Sequence, residues 1–317
     1  MKQKILVSVD TEAPVGNNAL QNMVYCKTED GEYGIRYLFQ LFDKYHIQAL
    51  FFVDLAEIVD HGETGIEEIL KDIEAAGHSV GVHVHPDHMA DSERRYLWQY
   101  SREEQYEIIS RCTEFYEKVL GRRPLSFRAG RYGANNDTLS VLEELGYRYD
   151  MSLFYRSRYC KISPQFTCNR FMKDPSRNLA ELPLTTYRSF STPFYERNDQ
   201  IIPGLNHYEL KRVMKKIVSS KQTDIISLLF HSFEFIDWRK NPDAPVFSKR
   251  KLDVVMRNME FINSCDVAWI SENDLLTISC YEGNDIGDID LSKGILPFWF
   301  FGKRAVQVLK DRMTLNV

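Results

Sequence analysis

Nowhere does the sequence run to the ~18 consecutive apolar residues that a membrane-spanning helix needs, so no such span is expected. The opening "MKQKILVSVDTE" has an apolar run of about five residues, short of the ~7–15 of a secretory leader, and acids follow at once. The six cysteines (Cys26, Cys112, Cys160, Cys168, Cys265, Cys280) include no CxxC spacing. Reduced thiols in a cytoplasmic protein are therefore expected. Positive charge is also lacking: a net charge of -5 offers no basic footprint for nucleic acid. No repeat, low-complexity tract or linker breaks the chain.

What is present suits a soluble globular protein. At 317 residues, 44% hydrophobic and 27% charged, the chain can bury a substantial core. Strand-like and helix-like patterns alternate. "KILVSVD", "QALFFVD", "SVGVHVH", "LSFRAG", "YRYDMSLF", "DIISLLFHSFEF" and "DVAWISENDLL" read as strands or strand ends. Between them, "GIRYLFQLFDKYHI", "GIEEILKDIEAAGH", "SREEQYEIISRCTEFYEKVLG", "NDTLSVLEELG", "YELKRVMKKIVSS" and "SKRKLDVVMRNMEFINS" have helical spacing. Gly77 is placed to cap one helix, and Ser101 with Glu104 to open another. The stretch from about 156 to 207 reads as loop-rich. This rhythm predicts an α/β fold with parallel strands, suited to a barrel over residues 1–280. The remainder, 281–317, reads as a C-terminal extension. Its apolar stretch near 295–301 is expected to pack on the barrel or to meet a membrane surface or protein partner.

In a parallel α/β barrel, functional groups collect where strands end. Here the strand ends carry Asp10 and Glu12, then His83 and His85, then Arg128, Asp150 and His231. Asp10 and Glu12 are two apart, so on a continuing strand both carboxylates face one side. One would bind a metal while the other handles protons. His83 and His85 share that spacing, which suits capture of a divalent ion by neutral imidazoles. Asp87 and His88 follow Pro86 on a turn that could return either one to the ion.

The order of these motifs resembles the polysaccharide deacetylase family (carbohydrate esterase family 4) over roughly residues 3 to 280. The segments that carry the likeness are "KILVSVDTE", "YLFQLFDKYHIQALFFV", "EEILKDIEAAGHSVGVHVHPDH", "FRAGRYGANNDTLSVLEELGYRYDMSL" and "IISLLFH". The resemblance implies a distorted (β/α) barrel of about seven parallel strands and metal-dependent removal of an N-acetyl group from a sugar or glycan precursor. It implies Asp10 as general base, oriented by Arg128, and a backbone N–H near Tyr132 in the oxyanion hole. It further implies His231 as general acid, with Asp150 as its carboxylate partner. The metal ligands are expected among Glu12, His83, His85 and His88. Zinc is the expected ion, with cobalt, nickel, manganese and iron as alternatives.

This sequence departs from the family pattern in three places. Thr11 stands where a second Asp is usual, so Glu12 must supply the carboxylate. Four residues after His83 comes Asp87 rather than His, so His85, Asp87 or His88 completes the set. "RAGRYG" is one residue longer than the common Arg motif. Hydrolysis of another amide on the same barrel, or a silent sugar-binding scaffold, stays open as an alternative.

Overall fold

The computed structural model describes residues 2–13, 17–163, 169–173, 177–192, 195–283 and 287–292. The apolar stretch near 295–301 lies outside them. One curled sheet organises the chain, made of β1 (Gln3–Thr11), β2 (Leu50–Asp54), β3 (Ser79–Val84), β4 (Ser126–Ala129), β5 (Tyr149–Asp150), β6 (Met172–Lys173), β7 (Ala180–Glu181), β10 (Ile225–His231) and β11 (Val267–Ile270). Its order is β10-β1-β2-β3-β4-β5-β7-β6, with β11 also pairing to β1. All pairings are parallel except that of β6 with β7. Among the described residues the ladder does not close from β7 to β10. Instead, the Ser227 N–H donates to Thr185 Oγ1 (2.8 Å) and the Leu229 N–H to the Ile201 carbonyl (3.4 Å). The result is the expected distorted (β/α) barrel.

Helices α1 (Ile35–Lys44), α2 (Glu63–Ala75), α3 (Arg102–Leu120), α4 (Asn136–Glu144), α5 (His207–Ser220) and α6 (Lys249–Asn263) cover the sheet. Each buries one stripe at helical spacing, as α2 does with Ile66, Ile69, Leu70 and Ile73. Ser101 opens α3 through a reciprocal capping box with Glu104, and a left-handed Gly121 closes it. Gly77, with φ 80°, follows the end of α2. The segment expected to be loop holds an antiparallel hairpin of β8 (Thr186–Thr192) and β9 (Tyr195–Gln200). Its strands are mostly polar, without the apolar alternation that marks a half-buried strand. The Arg188 N–H donates to the Ile289 carbonyl and the Leu291 N–H to the Arg188 carbonyl, so 287–292 runs along this hairpin.

Strand parity positions the site. On β1, Ile5, Val7 and Val9 join the core beneath the helices, whereas Leu6 joins the cluster inside the barrel with Phe52, Tyr149 and Met151. Alternation therefore sends Ser8 and Asp10 inward above Leu6. By the same count Asp54 on β2, His83 on β3, Arg128 on β4 and His231 on β10 face the interior. Register aligns Asp10 with His231 and with Phe52, and His83 with both Asp54 and Arg128.

Candidate active site

Glu12 lies one residue beyond β1 and reaches the two histidines of β3 and its exit. Its Oε2 is 2.9 Å from His85 Nε2 and 3.6 Å from His83 Nε2. The shorter contact lacks hydrogen-bond geometry, and His85 Nε2 is a buried nitrogen with no hydrogen-bond partner. On the far side of its ring, His83 Nδ1 meets the Arg128 carbonyl at 2.8 Å. A carbonyl only accepts, so Nδ1 carries the proton and Nε2 keeps its lone pair. Ligand atoms of Glu12, His83 and His85 lie within 4.8 Å of one another. Burial works to raise the Glu12 carboxyl, but the imidazoles of His85 and His83 outweigh it and hold it well below the ordinary value. For His83, burial pulls downward, and the carboxylates of Asp10, Glu12 and Asp54 more than reverse it. A carboxylate and two imidazoles, one nitrogen of them orphaned, fit a divalent first-row cation, which would take the place of the ring protons.

Gly130 makes room for this group. A Cβ there would stand 2.4 Å from His85 Cδ2 and 2.7 Å from the Val84 carbonyl oxygen. The chain then turns sharply: Arg131 (φ 52°) and Tyr132 (φ 59°) both occupy the left-handed region, which costs a non-glycine residue on the order of 1 kcal/mol. Tyr132 OH donates to Gln200 Oε1 at 3.3 Å. Burial, then the Asp10 carboxylate, pushes its phenol upward.

Asp10 is bound by a fully buried arginine. Arg128 Nη1 donates to Asp10 Oδ1 at 2.5 Å, Nη2 to Ser8 Oγ at 3.0 Å, and Nε to the Met151 carbonyl at 3.2 Å. The guanidinium also lies 4.2 Å above the Phe52 ring. Three directions of the fork are thus fixed, and Asp10 has Oδ2 left for another partner.

The remaining expected residues divide. His231 sits beside Asp10 in register, with its ring against Phe233. The expected pairing of His231 with Asp150 does not occur. Tyr149 and Met151 face the barrel interior, so Asp150 between them points to the opposite face. There it accepts from Ser152 Oγ at 2.6 Å and neighbours Glu181, whose carboxyl burial and the Asp150 charge push well above the ordinary value. The carboxyl near His231 is Glu234, whose Oε2 accepts from the His231 backbone N–H at 3.4 Å. Burial raises Glu234, and the His231 charge opposes that rise. His88 is also drawn elsewhere: its Nδ1 is hydrogen-bonded to Asp60, and its candidate ligand partners are Asp54 and Glu57. Asp87 is held by Arg131 Nη1 at 2.7 Å.

Three comparisons bear on this arrangement. The family model described as polysaccharide deacetylase matches residues 17–149. A peptidoglycan deacetylase of Helicobacter pylori is 29% identical over 125 residues, 39% of this chain and 39% of that protein. A peptidoglycan deacetylase-like protein of Gibberella zeae is 40% identical over 55 residues, 17% of this chain and 16% of that protein. The matches thus span well under half the length of these relatives. A crystal structure of a Mycobacterium smegmatis protein, named for the same family, superposes with a TM-score of 0.56 at 16% identity. The overlap covers 90% of this chain and 94% of that one, and it supports the barrel fold.

Proposed function

Because the chain belongs to the polysaccharide deacetylase family, we propose that it hydrolyses an N-acetyl group from an amino sugar of a glycan or glycan precursor. The observation that carries this reading is the juxtaposition of two units at one end of the barrel. One is the Glu12, His83 and His85 group, with the orphaned His85 nitrogen. The other is Asp10, held by the buried Arg128. The names of the bacterial and fungal relatives favour a glycan over other amides.

Glu12, His83 and His85 would hold the ion, with zinc the first expectation. When bound, such a cation polarises an amide carbonyl and lowers the pKa of water. Asp10 takes the proton of the attacking water, and Arg128 keeps its carboxylate aimed. The turn at Arg131 and Tyr132 offers backbone N–H groups to the developing oxyanion. An amine leaves poorly unless its nitrogen is protonated, and His231, level with Asp10 on the next strand, is the group in position to donate. Glu234 stands behind His231 and accepts from its backbone N–H, which holds the strand end that carries the ring. Asp150, through Ser152 and the strand that carries Met151, supports Arg128 rather than His231.

Acetate release tests the reading directly. Purified chain is assayed with N-acetylated sugars, sugar nucleotides and short glycans, beside Asp10→Asn and His83→Ala. The reading expects release by wild type, loss in Asp10→Asn with bound metal retained, and loss of metal in His83→Ala. Wild-type rates in Asp10→Asn would remove the base assignment.

A further inference from the structure

Behind the Glu12 group lies a second set of ligating side chains that the hydrolysis does not use. Asp54 ends β2, Glu57 closes the short turn after it, and His88 closes the turn after Pro86. One carboxylate oxygen from each acid and a ring nitrogen of His88 all lie within 4.8 Å of one another. Asp54 and Glu57 are each 1% exposed. Among the described residues neither forms an ion pair with Lys or Arg. Two buried carboxylates side by side need positive charge nearby, as a proton or as a cation.

The hydrogen bonds distinguish the oxygens. Asp54 Oδ1 accepts from the Ala56 N–H at 3.0 Å and from the His85 N–H at 3.3 Å. Asp54 Oδ2 is buried with no hydrogen-bond partner. Glu57 Oε1 accepts from the Ala13 N–H at 2.6 Å, which leaves Oε2 to its neighbours. His88 is oriented from behind by the Asp60 carboxylate on Nδ1. A carboxylate accepts, so Nδ1 carries the proton and Nε2 presents a lone pair, the same arrangement by which Arg128 orients His83.

We propose that Asp54, Glu57 and His88 form a second divalent-cation site, distinct from the Glu12, His83 and His85 group. Two carboxylates neutralise the charge of the ion, and one imidazole makes the set suitable for zinc, manganese or ferrous iron. His88 is the partly exposed member, so the ion enters past its ring. The two sites are mechanically joined, because Asp54 binds the backbone of His85 and Glu57 binds the backbone next to Glu12. An ion at the second site therefore holds the turns that carry two ligands of the first.

The test uses the full chain, stripped with chelator and re-equilibrated with Zn2+ by dialysis, with metal content measured per chain. Wild type is expected to hold two equivalents. Glu57→Gln keeps an acceptor for the Ala13 N–H but loses the charge, and His88→Ala changes a side chain at the surface. Each is expected to hold one equivalent, as is His83→Ala. A second-site affinity reduced 10–100-fold is expected in Asp60→Asn, which removes the orienting carboxylate. Wild type with one equivalent that survives both Glu57→Gln and His88→Ala overturns the proposal, and the carboxylates then share a proton instead. Loss confined to His83→Ala marks failure of the second site alone. Loss confined to Glu57→Gln and His88→Ala upholds it and removes the first.

Discussion

Arg128 Nη1 donates to Asp10 Oδ1 at 2.5 Å, and the arginine is wholly buried. The same guanidinium holds Ser8 and the Met151 carbonyl, so it fixes where the Asp10 carboxylate points. Lysine keeps the charge but has no planar fork. Arg128→Lys is therefore expected to lower the acetate-release rate by about 10²-fold or more, on the scale of a misplaced general base. Arg128→Met should instead be lost to instability, because an unpaired buried carboxylate costs about 3–5 kcal/mol. Rates and urea unfolding of the two variants separate these effects. A near-wild-type rate in Arg128→Lys would exclude a positioning role for the fork.

Gly130 gives a second handle on the metal group, one residue away from any ligand contact of its own. Its Cβ would overlap the His85 ring and the Val84 carbonyl. Because the carbonyl is backbone, the ring must yield. Gly130→Ala is expected to weaken Zn2+ binding at the Glu12 group by about 10–100-fold, the range seen when ligands lose their orientation. Overpacking should also cost about 1–3 kcal/mol of stability. Competition dialysis against a chelator measures the first effect, and unchanged affinity would show that His85 does not ligate.

Much of this was legible in the residue pattern, because both relevant periods are local. Inward parity on β1 follows from Ile5, Val7 and Val9 alternating with Leu6, Ser8 and Asp10, and the His83 and His85 spacing follows the same rule. Ser101 and Glu104 announced the start of α3. What stayed hidden depends on the curl of the sheet. Asp150 looks equivalent to the other strand-end acids, yet its parity turns it toward Glu181, thirty-one residues away in sequence. Nothing in the local pattern marks Glu57 or Glu234, since each follows a strand by a few residues and becomes significant only when a turn folds it back. Polar β8 and β9 lacked the alternation by which strands are recognised.

His231 and Glu234 predict a dependence on the leaving group. An amine needs a proton to depart, whereas a nitrophenolate does not. His231→Gln is expected to lose about 10²–10⁴-fold on N-acetyl sugars and much less on a nitrophenyl acetate. Glu234→Ala should show the same pattern more weakly, because Glu234 holds His231 only through its backbone N–H. Equal losses on both substrates would place His231 outside the proton-donating step.

Glu181 predicts the pH dependence of stability. Burial, then the adjacent Asp150 charge, raises its folded-state carboxyl well above the ordinary value of 4.5. Below that value both folded and unfolded chains hold the proton, and the contribution is fully present. As pH rises past it, the unfolded chain releases the proton while the folded one keeps it, so folding loses free energy. The loss runs at up to about 1.4 kcal/mol per pH unit and levels off once the folded carboxyl titrates. Glu181→Gln keeps an acceptor for the Leu153 N–H, bonded at 3.1 Å in the wild type, and gains an amide that donates to Asp150. Its stability relative to wild type should rise from near zero around pH 4.5 to a plateau at higher pH. Urea unfolding in chelator, at steps from pH 4.5 to 9, measures that difference and removes any contribution from bound metal. Glu57 is raised by burial and by Asp54 in the same direction, but it is common to both proteins and cancels. A difference that stays flat across the range would mean that the Asp150 and Glu181 pair holds no extra proton in the folded chain.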